Sequence, residues 1–319
     1  LTTLSDTHHR QSSVITSPRN APSRPPHRNP TVHTGIVGGM QSTPATSRRR
    51  YAPLLALVPL LLIAMPKSAG GMGVDVSERA QRFAANLPPL TPSQNHRGVR
   101  IYLLRHGMTD WNRRGLVQGA GHDIPLNEDG RAQAIYAAEE LAAVPITVVA
   151  SSHLSRASET ADAVHAVHPA AARLVNEGFG ECNYGDLEGK CLHDGSEEAR
   201  RLLDQFDQVS LDMEGDVNAG YPGGETAQQV ATRAKRALWK LLDDCPEDRH
   251  ICIVGHGRIN RLLLANLLYG DATRFAPIEQ GNTAISVFDY DPGKDGWSEV
   301  VLNYCSHTED RGAASGGCY

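Results

Sequence analysis

The chain has 319 residues, 40% of them hydrophobic, enough for one large globular domain or two small ones. Its net charge of −5 is unevenly spread: residues 1–73 carry eight Lys/Arg against one acid, Asp6, which leaves 23 basic and 35 acidic groups, net −12, in residues 74–319. A body this acidic is expected to repel nucleic acid and anionic lipid unless a local basic pocket intervenes, and any anionic ligand has to be held by a few focused cations.

Residues 1–73 read as a targeting region. Nine of the 19 prolines fall in residues 1–66 among Ser, Thr, Arg and His, a composition that cannot bury enough apolar surface to offset its ordering entropy. Arg48, Arg49 and Arg50 then precede a mostly apolar run, Tyr51 to Met65, and small residues follow it. This is the layout of an export signal, and the run is shorter than the roughly 20 residues that a membrane span needs. The Ser47–Tyr51 stretch resembles a twin-arginine signal and the acid-poor leader an organelle transit peptide. The expected address is a plastid and then its thylakoid lumen, with secretion as the alternative, cleavage near Ser68-Ala69-Gly70, and no stable membrane insertion after processing. An N-terminal membrane anchor is the competing reading of the same run, which Pro53 and Pro59 interrupt.

Residues 74–96 read as a linker and residues 97–310 as the folded domain. Val99 to Leu104 is an apolar run with β-branched and aromatic members, hence a strand. Residues 127–143 repeat apolar groups at helical spacing, Ile146 to Ala150 is a strand, and residues 153–167 are a helix. Leu174-Val175 is a short strand and residues 195–206 a charged helix. Thr226 to Leu242 is an amphipathic helix whose stripe Val230, Ala234, Ala237, Leu238 and Leu241 reads as core. His250 to Val254 is a strand, Ile259 to Leu268 a helix, and Ala284 to Tyr290 and Glu299 to Tyr304 are the last strands. Residues 311–319 read as a disordered tail. This order predicts an α/β fold, a three-layer α/β/α sandwich with a mainly parallel sheet. Six cysteines leave any disulfide pairing open, and none shows zinc-ligand spacing.

Ligands of such sheets sit at the carboxyl ends of the strands. Arg105-His106-Gly107 ends one strand, Ser151-Ser152 another, and Gly255-His256-Gly257 a third. Glycine lets backbone amides approach a ligand, and a helix N-terminus adds partial positive charge, so both histidine-bearing ends point to an anion.

The blocks LLRHGMTDWNRRGLVQG, SSHLSRASETA, ECNYGDLEG, YPGGET and IVGHGRINRLL, in this order, resemble the signatures of the histidine phosphatase superfamily, with its phosphoglycerate mutase-like fold, over about residues 99–290. The resemblance implies that His106 is a nucleophile that takes a phosphoryl group, and that Arg105, Arg156 and His256 form a cationic cradle around it. It implies that Asn112, Gln118 and Gly119 contact phosphate or leaving group, that Gly257 adjoins the cradle, and that Glu181 protonates the leaving oxygen. Arg261 matches a further family position. Glu177 and Glu188 are the other carboxylates within reach of the acid role, and the E-x-x-x-G spacing to Gly185 favours Glu181.

The chemistry suits these residue types. Phosphoryl transfer needs positioning and charge neutralisation on three oxygens, which arginines supply bidentately. An imidazole attacks only when neutral, and neighbouring cations keep it so. His256 is expected to do the reverse and stay protonated beside the dianion. No metal or other cofactor is implied, the expected partner is a small phosphorylated substrate, and the oligomeric state is left open. The chain departs from the family pattern at Met108, where Glu or Gln is usual, and at Leu187, where Trp is common. Cys182 and Asn183 replace the Arg-His pair of true mutases. These departures favour a metal-independent phosphomonoesterase. A phosphoglycerate mutase and a catalytically silent interaction protein on the same fold are the alternatives, and a metallohydrolase is disfavoured because arginines among its ligands would repel a cation. The stretch Cys191 to Tyr221 is expected to form a lid, and its acids argue against a highly anionic second group on the substrate.

Overall fold

The predicted strand at Val99 runs one residue further, as β1 (Val99–Arg105), because Arg105 still pairs with its neighbour and is itself buried. The computed structural model describes residues 76–90, 98–245, 249–294 and 296–312, so the expected targeting region, residues 1–73, lies outside them. No helix among the described residues is long and apolar enough to cross a membrane.

In chain order the elements are α1 (Val76–Asn86), β1, α2 (Asp110–Arg113), α3 (Glu128–Leu141), β2 (Val148–Ser151), α4 (Ser155–Val167) and β3 (Ala172–Val175). They continue with α5 (Glu197–Gly215), α6 (Ala227–Asp244), β4 (His250–Gly255), α7 (Gly257–Tyr269), β5 (Ile285–Asp291), β6 (Gly296–Tyr304) and α8 (Ser306–Glu309). The strands form one sheet in the order β3-β2-β4-β1-β5-β6. β1, β2, β3 and β4 are parallel, and β5 and β6 add antiparallel strands beside β1. This is the expected α/β sandwich with a mainly parallel sheet.

Alternation along β1 builds two cores, since successive side chains leave a strand on opposite faces. Ile101 and Leu103 join the buried face of α6 and α7, including Val230, Leu238 and Leu262. Tyr102 and Leu104 join Ala137 and Leu141 of α3 and Ala157 and Val164 of α4. β1 and β4 are buried nearly end to end, as strands covered on both faces must be. The stripe on α6 is core, as its spacing predicts.

Three expectations are corrected. The supposed linker, residues 74–96, contains α1, whose Ala80 and Phe83 are buried and whose Arg79 bonds the Ser306 carbonyl and the Glu140 and Asp310 carboxylates. Its charged composition hid an apolar face one helix wide. The supposed tail begins with a tethered residue: Arg311 bonds Glu139 and lies over the Tyr136 ring, 4.1 Å from its centroid, while residues 313–319 lie outside the described residues. The charged helix expected at 195–206 extends to Gly215, because Ala199, Phe206 and Met213 recur every seven residues and bury one narrow face.

Candidate active site

β1 and β4 are neighbours in register, Arg105 opposite Gly255, so the two histidine-bearing ends emerge side by side. The His106 amide donates to the Gly255 carbonyl at 3.1 Å, and the His106 and His256 ring centroids are 5.1 Å apart. Parallel pairing thus joins residues 150 positions apart in the chain.

His106 Nδ1 lies 2.6 Å from the Gly107 carbonyl oxygen. A carbonyl only accepts, so Nδ1 carries the hydrogen and Nε2 presents a lone pair. Burial, then the charges of Arg156 and Arg105, hold the imidazole well below its ordinary range, hence neutral. His256 has the opposite tautomer. Its Nδ1 accepts from Arg156 Nε at 3.2 Å, and a guanidinium only donates, so the hydrogen sits on Nε2. That Nε2 is buried without a hydrogen-bond partner among the described residues. Burial first, then Arg156, His106 and Arg105, push His256 well below the usual imidazole range. The expectation of a standing imidazolium is therefore corrected: with only the protein's own charges around it, His256 is neutral, because three cationic or ionisable neighbours surround a fully buried ring.

Arg156, on the first turn of α4, is 1% exposed. Besides His256 it donates Nη1 to the His122 carbonyl (2.9 Å) and Nη2 to the Gly119 carbonyl (2.8 Å). Three of its five hydrogens are thereby fixed and the fork is rigid before any ligand arrives. Burial lowers its pKa to about 10, partly offset by Glu181 and Asp123, so it stays charged at neutral pH. Arg105, equally buried, is anchored by the Gln280 carbonyl at 2.8 Å.

The loop after α2 supplies the amides. Thr109 caps α2 reciprocally with Asn112, whose Oδ1 lies 3.1 Å from the Thr109 amide and 3.0 Å from its hydroxyl. Gln118 Oε1 also lies 3.0 Å from that hydroxyl. With its Oδ1 taken by the Thr109 amide, Asn112 has its amino group left to meet a ligand, and the Gln118 amide shares the same hydroxyl. Gly119 needs glycine: its φ is +58° and a Cβ there would meet Glu188 at 1.9 Å.

Glu181 closes the site from beneath α7. Its Oε1 accepts from the Cys182 and Ile259 amides (2.8 and 3.1 Å) and its Oε2 from the Arg258 amide (3.2 Å). Of the other two carboxylates, Glu177 is exposed, and Glu188 accepts the Ala120, Gly121 and Tyr184 amides, tying the 118–121 loop down. The carboxylate at the cavity is Glu181.

Arg105, His106, Asn112, Gln118, Arg156 and Glu181 wall one cavity of about 30 Å³, together with Gly119. Gly257, the first residue of α7, is buried but is not part of this wall. Arg261 is turned away, donating to the Phe275 and Ala276 carbonyls. The expected role for a glycine amide is corrected at Gly107, whose amide is taken by Thr160 Oγ1 at 3.0 Å; in α7 the Arg258 and Ile259 amides are taken by Glu181. Glycine stands at 107 because a Cβ would meet the Gly130 carbonyl oxygen at 2.4 Å, which lets α3 pack against the strand end. Leu192 and Phe206, from the expected lid segment, do reach the cavity.

Sequence reasoning missed the residues that hold these groups in place. Arg233 of α6 donates to the Gly178, Gly180 and Glu181 carbonyls and pairs with Glu225, which accepts the Asn183 amide; together they fix the segment bearing Glu181. Asn282 Nδ2 donates to the His106 carbonyl at 3.0 Å. Thr109 was findable, as a Thr three residues before a side chain able to return the capping bond. Arg233 and Asn282 carry no local signal. Among the described residues no three His, Cys, Asp or Glu side chains are grouped to hold a metal ion.

The pattern of the histidine phosphatase superfamily (branch 1) matches residues 101–304. A probable phosphoglycerate mutase GpmB from Cronobacter sakazakii is 30% identical over 214 residues, covering 66% of this chain and 95% of that protein. Among solved structures, a mycobacterial glucosyl-3-phosphoglycerate phosphatase with VO3 superimposes with a TM-score of 0.57 at 28% identity, covering 65% of this chain and all of that one. An Escherichia coli protein described as a putative alpha-ribazole-5'-P phosphatase gives 0.55 at 25% identity, over 65% and 96%.

Proposed function

The chain belongs to the histidine phosphatase superfamily (branch 1), and on that footing we propose that it hydrolyses a small phosphomonoester through a phosphohistidine at His106, with no metal ion. The observation that carries the reading is the neutral, Nδ1-protonated His106 between two buried arginines, with its Nε2 lone pair left for attack.

In the first step Nε2 bonds to phosphorus as the ester oxygen leaves and takes a proton from Glu181. Arg105 and Arg156 neutralise the equatorial oxygens, Asn112 and Gln118 donate through their amino groups, and His256 presents its Nε2 hydrogen. As the dianion enters, it favours a second proton on His256, so the cradle gains positive charge when negative charge arrives. In the second step Glu181 takes a proton from water, whose oxygen bonds to phosphorus, and the bond to Nε2 breaks.

A mutase reading draws support from the GpmB relative. Against it, Cys182 is buried with its Sγ at the Asn183 carbonyl, and Asn183 spends its side-chain oxygen on the Gly185 amide. Both residues build the turn where mutases resemble Arg-His. The test is inorganic phosphate release from a panel of phosphomonoesters in chelator, with His106→Ala as control. Release that disappears in the variant supports hydrolysis; phosphoglycerate interconversion without release would replace it with transfer.

A further inference from the structure

The cavity wall carries two kinds of side chain: Arg105, His106, Asn112, Gln118, Arg156 and Glu181 are charged or polar, while Leu116, Val117, Tyr184, Leu192 and Phe206 are apolar or aromatic. Among the described wall residues, only the two arginines of the phosphoryl end are cationic side chains fixed in charge. The space, about 30 Å³, takes two or three water-sized groups. With the phosphoryl group held at His106 by Arg105 and Arg156, the alcohol part of an ester is left to the apolar wall, Leu116, Val117, Tyr184, Leu192 and Phe206, the last of them on α5.

A carboxylate or second phosphate placed there would lose its hydration against hydrocarbon and an acidic group, with no counter-charge to replace it. The Cys182-Asn183 pair supplies none, being spent on its own turn. One more cation lies close by. The Arg258 guanidinium sits over the Phe206, Phe275 and Tyr221 rings, 5.5, 4.9 and 5.9 Å from their centroids, and its Nη2 donates to Ser210 and to the Tyr221 hydroxyl. It is fully buried and is no part of the cavity wall. Its Nη2 is spent on hydroxyls and its Nε and Nη1 meet no hydrogen-bond partner among the described residues, facing aromatic rings instead, and Phe206 is the side chain that it and the cavity share.

We propose that the substrate is the monophosphate of a neutral alcohol with a ring or other apolar face, docked against Phe206 and Leu192, and not a carboxylated or doubly phosphorylated ester. This rests on the hydrolase reading above and narrows it to a substrate class.

The test uses pairs of esters that differ by one negative charge: phenyl phosphate against 4-carboxyphenyl phosphate, and glycerol 3-phosphate against 3-phosphoglycerate. The expected kcat/KM is at least about tenfold lower for the carboxylated member of each pair. Phe206→Leu, which keeps apolar bulk, retains that charge discrimination. Phe206→Ala weakens it, because the ring between the cavity and Arg258 is gone. Calorimetric binding of the same four esters to His106→Ala, and to His106→Asn as a second variant, reads the preference without turnover. Equal or better use of the carboxylated esters by the wild-type protein overturns the inference and leaves hydrolysis standing. A binding preference with no hydrolysis of any ester overturns the hydrolase reading and keeps the inference. Equal binding of both members of each pair overturns the inference whatever the turnover.

Discussion

Lowering the pH from 6 to 5 should cost this protein stability in a way that reports the charge state of its nucleophile. His106, His256 and His307 are 3% exposed or less. Burial, helped by neighbouring arginines, holds the first two well below the ordinary imidazole range and pushes His307 down to about 3. A folded-state pKa below the unfolded one means that the unfolded chain binds the extra proton. The penalty is therefore absent above about pH 7, sets in as pH falls through 6.5, and keeps growing until the folded groups themselves titrate. Between pH 6 and 5 an unfolded imidazole goes from about three-quarters to nearly fully protonated, so each histidine kept neutral by the fold removes about 1.2 kcal/mol over that unit. All three act in the same direction, against the roughly 5–15 kcal/mol that holds a domain together. Urea unfolding of the wild-type protein and of His106→Asn, at pH 7, 6 and 5, reads the share of His106 together with its effect on His256, whose pKa His106 also lowers. The variant should lose about 1.2 kcal/mol less between pH 6 and 5 than the wild type. Equal losses would mean that His106 accepts its proton while folded, and the argument for a neutral, attack-ready imidazole would fail.

Two further outcomes test the scaffold of the site. Arg156→Lys keeps the charge but replaces a fork that reaches three acceptors, Gly119, His122 and His256, with a single ammonium group; steady-state kinetics should show kcat/KM lower by about tenfold to a hundredfold, with KM raised. Gly107→Ala puts a methyl group 2.4 Å from the Gly130 carbonyl oxygen, with backbone on both sides, and should lower unfolding stability by about 1–3 kcal/mol in calorimetry while changing no charged group.

The parts of the fold that rest on repetition were legible in the chain. β1, β4 and α6 were foreseen to within a residue or two because a continuous apolar run, or a helical apolar repeat, extends over their whole lengths. α1 was missed although Val76, Ala80, Phe83, Ala84 and Leu87 repeat at helical spacing: the repeat spans three turns among charged residues, and its apolar face has a place to go only once α3 covers it. The far half of α5 was missed although Leu202, Phe206, Val209 and Met213 keep helical spacing, because the residues beside Met213, Asp212 and Glu214, are charged and exposed.

The sequence by itself determined which groups arrive at the strand ends, since Arg105-His106 and Gly255-His256 are contiguous dipeptides at the tips of apolar runs. It also determined the residue types around them, through blocks that keep their order along the chain. Only the tertiary structure decided how those groups behave. The tautomers of the two histidines follow from a carbonyl one residue away in one case and an arginine 100 residues away in the other. The placing of Glu181 against the start of α7 follows from which backbone amides it meets, and the neutrality of His256 from burial among cations that the chain spreads over 151 positions, from Arg105 to His256. Hydrogen bonds and desolvation act over a few ångströms, and no local stretch of sequence records who the neighbours at that distance will be.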